Sequence, residues 1–247
     1  LSNFELFPNH VLDLLPSCVI TKTKPLSWPY KILFFMAQLL ITGGAGFIGS
    51  HVCLSLLEAG NDLVVIDNYS NSSHEVLQRV FDLAEVEDVT RMKVVQGDIC
   101  NPDDLDRAFS AAGKTVDGVL HFAGLKAVGE SVQNPILYWE VNVGGSCCLF
   151  DAMRRHDCQT IVFSSSATIY GHPDQVPVAE ISQVQPISPY GHTKASIEQL
   201  LEDISLSAAD WRIACLRYFN PVGAHPSGRI GEDPMGVPNN LFPFLSQ

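Results

Sequence analysis

Tyr190 and Lys194 are four residues apart in a run that starts with Ser188 and Pro189, and Ser166 ends an apolar run upstream. Ser188 is a favourable N-cap and Pro189 suits the first helical turn, so a helix beginning there places Tyr190 and Lys194 on one face. An ammonium beside a phenol favours the phenolate, which lowers the tyrosine pKa from its usual value of about 10. Such a tyrosine can take a proton from an alcohol whose oxygen the serine hydroxyl binds. Alone, the pattern is equally that of a partly buried tyrosine beside a solvated lysine.

The elements that would hold these three residues alternate between strands and helices. Short β-branched runs predict strands at residues 39–42, 63–67, 93–97, 118–123 and 160–164, and the stretches between them predict helices at 47–58, 73–84, 102–111 and 132–155. Alternation of this kind implies right-handed crossovers and a parallel sheet covered on both faces. We therefore predict a Rossmann-type, doubly wound α/β fold.

A glycine-rich turn joins the first strand to the first helix. Gly43, Gly46 and Gly49 match one dinucleotide-binding pattern, and Gly44 offers an alternative first glycine for the G-x-G-x-x-G form. Glycine there permits a tight turn, close approach of a pyrophosphate and close helix packing. Asp67 ends the second strand about 20 residues later, where a carboxylate accepts the ribose hydroxyls of NAD and repels the 2′-phosphate of NADP. The sequence thus predicts NAD as hydride acceptor for an alcohol deprotonated by Tyr190.

Composition narrows the class of partner. The 247 residues are 46% hydrophobic and carry a formal net charge of −12, which argues against nucleic acid or an anionic membrane as the main partner. Seven scattered cysteines without C-x-x-C spacing indicate reduced thiols in a cytoplasmic protein, not a metal site or disulfide framework. Residues 1–35 lack periodicity and contain four prolines, so we expect a disordered extension before a natural start at Met36.

Blocks throughout the rest of the chain resemble the UDP-glucose 4-epimerases, a family of the extended short-chain dehydrogenase/reductase superfamily. The matching blocks are residues 41–51, 67–68, 97–99, 121–131, 163–171, 188–190, 216–228, 231–234 and 238–241. The glycine turn and the Tyr/Lys pair mark only the superfamily, whereas residues 122–131 and 217–228 are more specific to the family. The resemblance implies an NAD domain at 36–218 and only the start of a smaller substrate domain at 219–247. It also implies that this chain by itself is weakly active or inactive.

The resemblance extends the set of candidate site residues. The cofactor set is Gly43, Gly46, Phe47, Ile48, Gly49, Asp67, Asn68, Asp98, Ile99, Phe122, Ala123, Gly124, Lys126, Asn142, Lys194 and Tyr218. The substrate set is Lys126, Ser166, Tyr190, Phe219, Asn220, Asn240 and Leu241, and no metal is implied. From the residues alone, Asp98 is equally an adenine-edge acceptor or a plain loop residue, Asn142 could be a buried amide bonded to backbone, and Lys126 could be a solvated charge. His121 is interpreted as a packed strand histidine.

The activity implied is oxidation of a UDP-hexose at C4, rotation of the 4-keto sugar and re-reduction on the other face, in galactose metabolism. A 4,6-dehydratase needs an acid/base carboxylate pair beside Ser166, where this chain has Ala167-Thr-Ile169. A 4-epimerase of UDP-xylose or of N-acetylated UDP-sugars stays open, as does a non-catalytic NAD-binding protein. Homodimers are typical of the family, and we expect helices near 132–155 and 189–207 at the contact.

Overall fold

The computed structural model describes residues 36–232 and Phe244, and within them six parallel strands alternate with helices. The strands are β1 (Gln38–Thr42), β2 (Asp62–Asp67), β3 (Met92–Gln96), β4 (Gly118–His121), β5 (Thr160–Ser166) and β6 (Arg212–Tyr218). The helices are α1 (Phe47–Glu58), α2 (His74–Leu83), α3 (Pro102–Ala111), α4 (Val128–Gln133), α5 (Pro135–Tyr138), α6 (Gly145–Arg155) and α7 (Pro189–Ser207), with a π-helical segment at Trp139–Gly144 and 3-10 turns at Val89–Arg91 and Ala167–Tyr170. Within the described part of the chain, no helix has the length and apolar character of a membrane span.

The sheet has the order β3-β2-β1-β4-β5-β6, with β1 in the interior. Leu40 of β1 pairs with Val64 of β2 on one side and with Val119 of β4 on the other. The chain therefore winds outward from β1 in one direction and then returns to wind in the other. In open sheets of this kind the connections diverge above the carboxyl ends of the two central strands, and ligands bind in the crevice between them. The predicted Rossmann-type fold is confirmed.

Both faces of the sheet are covered, because successive strand residues are buried on opposite sides. Leu40 and Val64 lie in the core cluster formed with α3, α6 and α7. Ile41 and Val65 lie in the second cluster, formed with α1 and α2. All four side chains are fully buried. A nearly continuous apolar strand is what a sheet packed on both faces requires.

The single regular helix predicted at residues 132–155 is wrong, since the structure breaks it at Asn134 and changes its winding at Trp139–Gly144. Asn134 leaves the helical conformation because Pro135 comes next, and proline disfavours the α conformation of the residue before it. After α5, the segment Trp139–Gly144 widens into a π-helix before α6 begins. Short π segments recur at functional sites, and this one carries Asn142.

Residues 224–231, which come after β6, form a small loop that we call the return loop. An antiparallel bridge joins Ala224 to Gly231, and the backbone N–H of His225 donates to the Ile230 carbonyl at 3.0 Å. Ile230 is only 4% exposed and belongs to the core cluster of α1 and α2. The return loop is thus packed against α1 and α2, which are far from it in sequence.

Candidate active site

The glycine turn leaves a concave, uncapped helix start at the carboxyl end of β1. Gly43 has φ +68°, and a Cβ there would lie 2.6 Å from the backbone nitrogen of Ala123. A Cβ at Gly49 would lie 2.3 Å from the Gly43 carbonyl oxygen. Gly46 is the N-cap of α1 without a side-chain bond to the first turn, and Phe47 and Ile48 are partly exposed. Free N–H groups at a helix start suit an anionic group such as a pyrophosphate.

Asp67 ties the glycine turn to the loop after β2. One carboxylate oxygen accepts the Ala45 N–H at 2.9 Å, while the other accepts the Tyr69 N–H at 2.9 Å and the Ser72 hydroxyl at 3.0 Å. A carboxylate has about four acceptor positions, so one remains for a ribose hydroxyl. Beside it, the Tyr69 hydroxyl is buried and has no hydrogen-bond partner in the described residues. A buried hydroxyl without a partner is rare in native structures, and the described residues supply none for Tyr69.

Asn68, Asp98 and Ile99 lie at the neighbouring strand ends. The Asn68 amide donates to the Asp98 carboxylate at 3.0 Å. Burial acts to raise the pKa of Asp98, but hydrogen bonds from Cys100 and Asn68 outweigh it and leave the pKa below its usual value. Ile99 is 5% exposed and packs in the core. The side chain of Ile99 therefore supports the sheet, while Asp98 keeps a charged acceptor at the edge.

The loop after β4 brings Gly124 close to α7. Gly124 has φ +149°, and a Cβ there would lie 3.0 Å from the Asn142 amide oxygen and 3.9 Å from Lys194 Nζ. The Asn142 amide accepts the Leu125 N–H at 2.8 Å and donates to the Leu125 carbonyl at 3.1 Å and to Thr193 Oγ1 at 3.1 Å. Asn142 is 2% exposed, so its amide holds this loop against α7. The π segment puts it there.

The remaining residues of the two predicted sets differ in their burial and in the contacts that they make. Phe122 and Ala123 are partly buried against the two core clusters. Lys126 is half exposed and forms an ion pair with Glu232 at 2.9 Å. Tyr218 ends β6 in register with Ser166, and Phe219 and Asn220 after it are exposed. Asn240 and Leu241 lie outside the described residues.

Ser166, Tyr190 and Lys194 are brought together at the carboxyl end of β5. Ser188 caps α7 by accepting the Gly191 N–H at 3.1 Å, which starts the helix as predicted. Ser166 Oγ accepts the Thr168 hydroxyl at 2.9 Å, and it lies close enough to the Tyr190 phenol to act on the Tyr190 pKa. Lys194 Nζ donates to the Ser164 carbonyl at 2.8 Å and lies 5.9 Å from the Tyr190 ring centroid.

The predicted lowering of the Tyr190 pKa is wrong for the protein groups alone. Burial raises the pKa of Tyr190, and the hydrogen bond from Ser166 offsets this only in part. Lys194 does not reverse the effect because its ammonium is directed to a backbone carbonyl and its own charge is disfavoured: burial lowers the pKa of Lys194 to about 8. Tyr190 is thus a phenol that needs a further positive charge beside it to ionise.

The Lys194→Met variant tests how much the buried ammonium of Lys194 lowers the free energy of unfolding. The unfolded chain, with a lysine pKa near 10.5, binds more protons than the folded chain, with a pKa of about 8, between those two pH values. The wild-type free energy of unfolding therefore rises with pH across that window. We expect Lys194→Met to be more stable than wild type by about 1–3 kcal/mol near neutral pH, and the difference to shrink as the pH rises past the window. Denaturant unfolding at neutral and alkaline pH measures it, with the exposed Lys93→Met as control; a less stable Lys194→Met at neutral pH would contradict the expectation.

Two buried residues, His121 and Tyr138, contact the elements that carry the candidate site. His121 is 1% exposed and bridges Thr42 Oγ1 at 2.7 Å to Ser146 Oγ at 3.0 Å, and burial lowers the pKa of His121 to about 3. It is a neutral packed histidine, as predicted. Tyr138, which sequence reasoning missed, is fully buried with its ring perpendicular to the Tyr190 ring at 6.5 Å. Only the tertiary packing of α5 on α7 identifies it.

The fold and the site together define a Rossmann-type protein with a dinucleotide-binding glycine turn and a Ser-Tyr-Lys set at the carboxyl end of β5. The chain belongs to the NAD dependent epimerase/dehydratase family, which matches residues 39–241. Family membership makes NAD the dinucleotide cofactor.

Similar proteins are epimerases of nucleotide sugars. The chain is 52% identical over 210 residues to UDP-glucose 4-epimerase 2 of Arabidopsis thaliana, covering 85% of this chain and 59% of that protein. It is 47% identical, with the same coverage, to the bifunctional UDP-glucose 4-epimerase and UDP-xylose 4-epimerase 1 of Pisum sativum. The crystal structure of UDP-glucose 4-epimerase from Bifidobacterium longum with NAD+ and UDP is similar at 43% identity and a TM-score of 0.80, over 85% of this chain and 61% of that one. The chain thus spans about three-fifths of the length of these relatives.

Proposed function

We propose that the complete protein interconverts UDP-glucose and UDP-galactose by oxidation at C4 and re-reduction of the 4-keto sugar. The observation that carries this is the convergence of Ser166, Tyr190 and Lys194 beside a glycine turn with an open helix start. Relatives at 47–52% identity that bear the name UDP-glucose 4-epimerase support the substrate.

NAD fits the residues that the crevice presents. Gly43 and Gly49 let the turn pack tightly against backbone atoms, the first turn of α1 is uncapped, and Asp67 keeps one acceptor position. Gly43, Gly46 and Gly49 would shape the pyrophosphate site, Asp67 and Asn68 would bind the adenosine ribose, and Lys194 would bind the nicotinamide ribose. When bound, NAD would accept a hydride from C4 and give it back.

The chain's own residues handle the proton. Tyr190 would remove it from the sugar 4-hydroxyl and return it later, and Ser166 would hold the O4 oxygen by a hydrogen bond. Burial holds the tyrosine pKa high in the protein alone. The positive charge of the oxidised cofactor, together with Lys194, would favour the phenolate only when the dinucleotide is in place. Proton removal would then be coupled to the presence of the hydride acceptor.

A dehydratase is disfavoured by the residues immediately after Ser166. The 3-10 turn Ala167–Tyr170 offers Thr168, whose hydroxyl donates to Ser166, and no carboxylate that could eliminate water. A 4-epimerase for UDP-xylose is the second candidate, since a relative at 47% identity carries both names. A non-catalytic NAD-binding protein would not need the three catalytic residues that this chain retains.

We further propose the setting of this activity. The protein would act in the cytoplasm in galactose metabolism, as an extended short-chain dehydrogenase/reductase with an NAD domain at 36–218 and the start of a substrate domain at 219–247. A homodimer contact would use the exposed apolar side chains of α4 and α5, where Val132 is 62% and Ile136 72% exposed. The acidic net charge gives no reason to expect nucleic acid as a partner.

The deciding assay supplies the complete protein with UDP-galactose and no added NAD. We expect UDP-glucose to form until equilibrium, because the nucleotide would be restored in each cycle, and NAD to be released when the protein is denatured. UDP-xylose in a parallel reaction tests the second candidate. Product formation in proportion to added NAD would instead indicate an ordinary dehydrogenase, and no sugar conversion with NAD still bound would favour a non-catalytic NAD-binding protein.

A further inference from the structure

Three consecutive serines at the end of β5 contact three α7 residues that are spaced one helical turn apart. The Ser164 carbonyl accepts from Lys194 at 2.8 Å, Ser165 Oγ donates to the Glu198 carboxylate, and the Ser166 hydroxyl lies close to the Tyr190 phenol. Positions 190, 194 and 198 succeed one another at intervals of four, so the side chains lie in one row along the helix. Glu198 is the third member of the row that starts with the proposed base.

Arg217 of β6 holds Glu198 from the other side. Its guanidinium contacts both carboxylate oxygens, with Nε at 3.0 Å and 3.2 Å and Nη2 at 2.7 Å. Arg217 pairs in register with Ser165 across β5 and β6, so both partners of Glu198 come from adjacent strands. The Glu198 side chain is 13% exposed and that of Arg217 25%. A bidentate pair of this kind fixes orientation as well as distance.

The same guanidinium also reaches the segment after Ser166. Its Nη1 donates to the Tyr170 hydroxyl at 2.8 Å and to the Glu180 carbonyl at 2.8 Å. We call Glu198, Arg217 and these contacts the clamp. It connects α7 and β5, which carry the proposed catalytic set, with β6, the 3-10 turn and the loop before α7.

We infer that Glu198, oriented by Arg217, is a positioning residue that sets α7 against β5 so that Tyr190 and Ser166 meet in register. The inference rests on the proposed function for its kinetic consequences but not for its geometry. A buried ion pair is weak evidence for stability, since an apolar pair of similar size often serves the fold as well. An apolar pair cannot reproduce the fixed bond from Ser165 to the third residue of the α7 row. A displacement of about 1 Å between reacting groups costs on the order of a hundredfold in rate.

The variants are chosen to separate position from folding. Glu198→Ala removes the contact, and Glu202→Ala, one turn further along the same row but exposed, is its matched control. Because Glu198→Ala leaves Arg217 half-buried and unpaired, a second variant, Glu198→Leu with Arg217→Met, removes both charges and is expected to fold. Glu198→Gln keeps the shape and one oxygen acceptor and should recover part of any loss.

The first readout needs neither cofactor nor sugar. In protein carrying isotopically labelled tyrosine, the NMR signal of the Tyr190 ring is assigned by its loss in Tyr190→Phe. We expect that signal to move in Glu198→Ala and in the double variant, and to stay in place in Glu202→Ala. An unmoved signal in both folded variants would overturn the inference whatever the activity.

The second readout is kinetic and uses the complete protein. We expect kcat to fall on the order of a hundredfold in Glu198→Ala and in the double variant, about tenfold in Glu198→Gln, with KM for the UDP-sugar within about threefold of wild type. A double variant with wild-type kcat would overturn the inference. If the Tyr190 signal moves but wild type converts no UDP-sugar, the proposed function fails and the positioning role stands.

Discussion

Replacing Tyr190 by phenylalanine is expected to lower epimerisation by about a hundredfold to ten-thousandfold while NAD remains bound. The substitution removes only the hydroxyl that would take the proton from the sugar, and general acid–base groups contribute about 10²–10⁴ in rate. The ring keeps its contacts with Tyr138 and Lys194, so only the interaction of the hydroxyl with Ser166 is lost.

The effect of Tyr190→Phe is measured as kcat together with the NAD content of the purified complete protein. His192→Ala, in the same turn of α7 but exposed, is the control and should retain wild-type kcat. Near-normal turnover in Tyr190→Phe would remove Tyr190 from the role of base. Loss of NAD together with activity would show that the hydroxyl serves cofactor binding instead.

Gly49→Ala is expected to abolish NAD binding, with an affinity loss of at least about a hundredfold. A Cβ at that position would lie 2.3 Å from the Gly43 carbonyl oxygen and 2.7 Å from Gly44 Cα. Both neighbours are backbone atoms of the glycine turn, so the turn itself must move, and the strain costs stability by about 1–3 kcal/mol. A displaced turn no longer presents the start of α1 to the pyrophosphate.

Gly129→Ala is the matched control for Gly49→Ala. It makes the same chemical change inside a helix, α4, but nothing lies within 4 Å of the new Cβ. We expect unchanged NAD affinity and a slight gain in stability, because alanine restricts the unfolded chain. NAD binding by calorimetry and unfolding by denaturant compare the two variants. Tight NAD binding by Gly49→Ala would show that the pyrophosphate does not depend on the shape of this turn.

Local sequence patterns were sufficient to predict where the two helices next to the candidate site begin. The glycines between 43 and 49 and the cap at Ser188 act through nearby backbone, and α1 and α7 begin where these signals place them. The break at Pro135 was also a local signal, but the periodicity of the surrounding residues concealed it. β6 was not predicted as a strand, because its own sequence does not identify it and only its pairing with β5 does.

The features that the sequence could not supply depend on contacts between distant residues. Glu198 meets Ser165 across 33 positions, and Asn142 meets Thr193 across 51. The direction of the Tyr190 pKa was wrongly predicted for the same reason: it depends on how deeply the phenol is buried and on which oxygen Lys194 Nζ contacts, and helical spacing determines neither.

The return loop has a consequence for how the chain folds during its synthesis. Arg229 meets Asp82 at 2.6 Å across 147 positions, and Ile230 completes a core that α1 and α2 begin. Closing so long a loop is entropically costly and slow compared with local pairing. During synthesis, the first two helices leave the ribosome long before Ile230 does, so the apolar surface that Ile230 covers is exposed in the meantime. This surface is therefore one that chaperones can bind, and one that can aggregate, until Ile230 has been made.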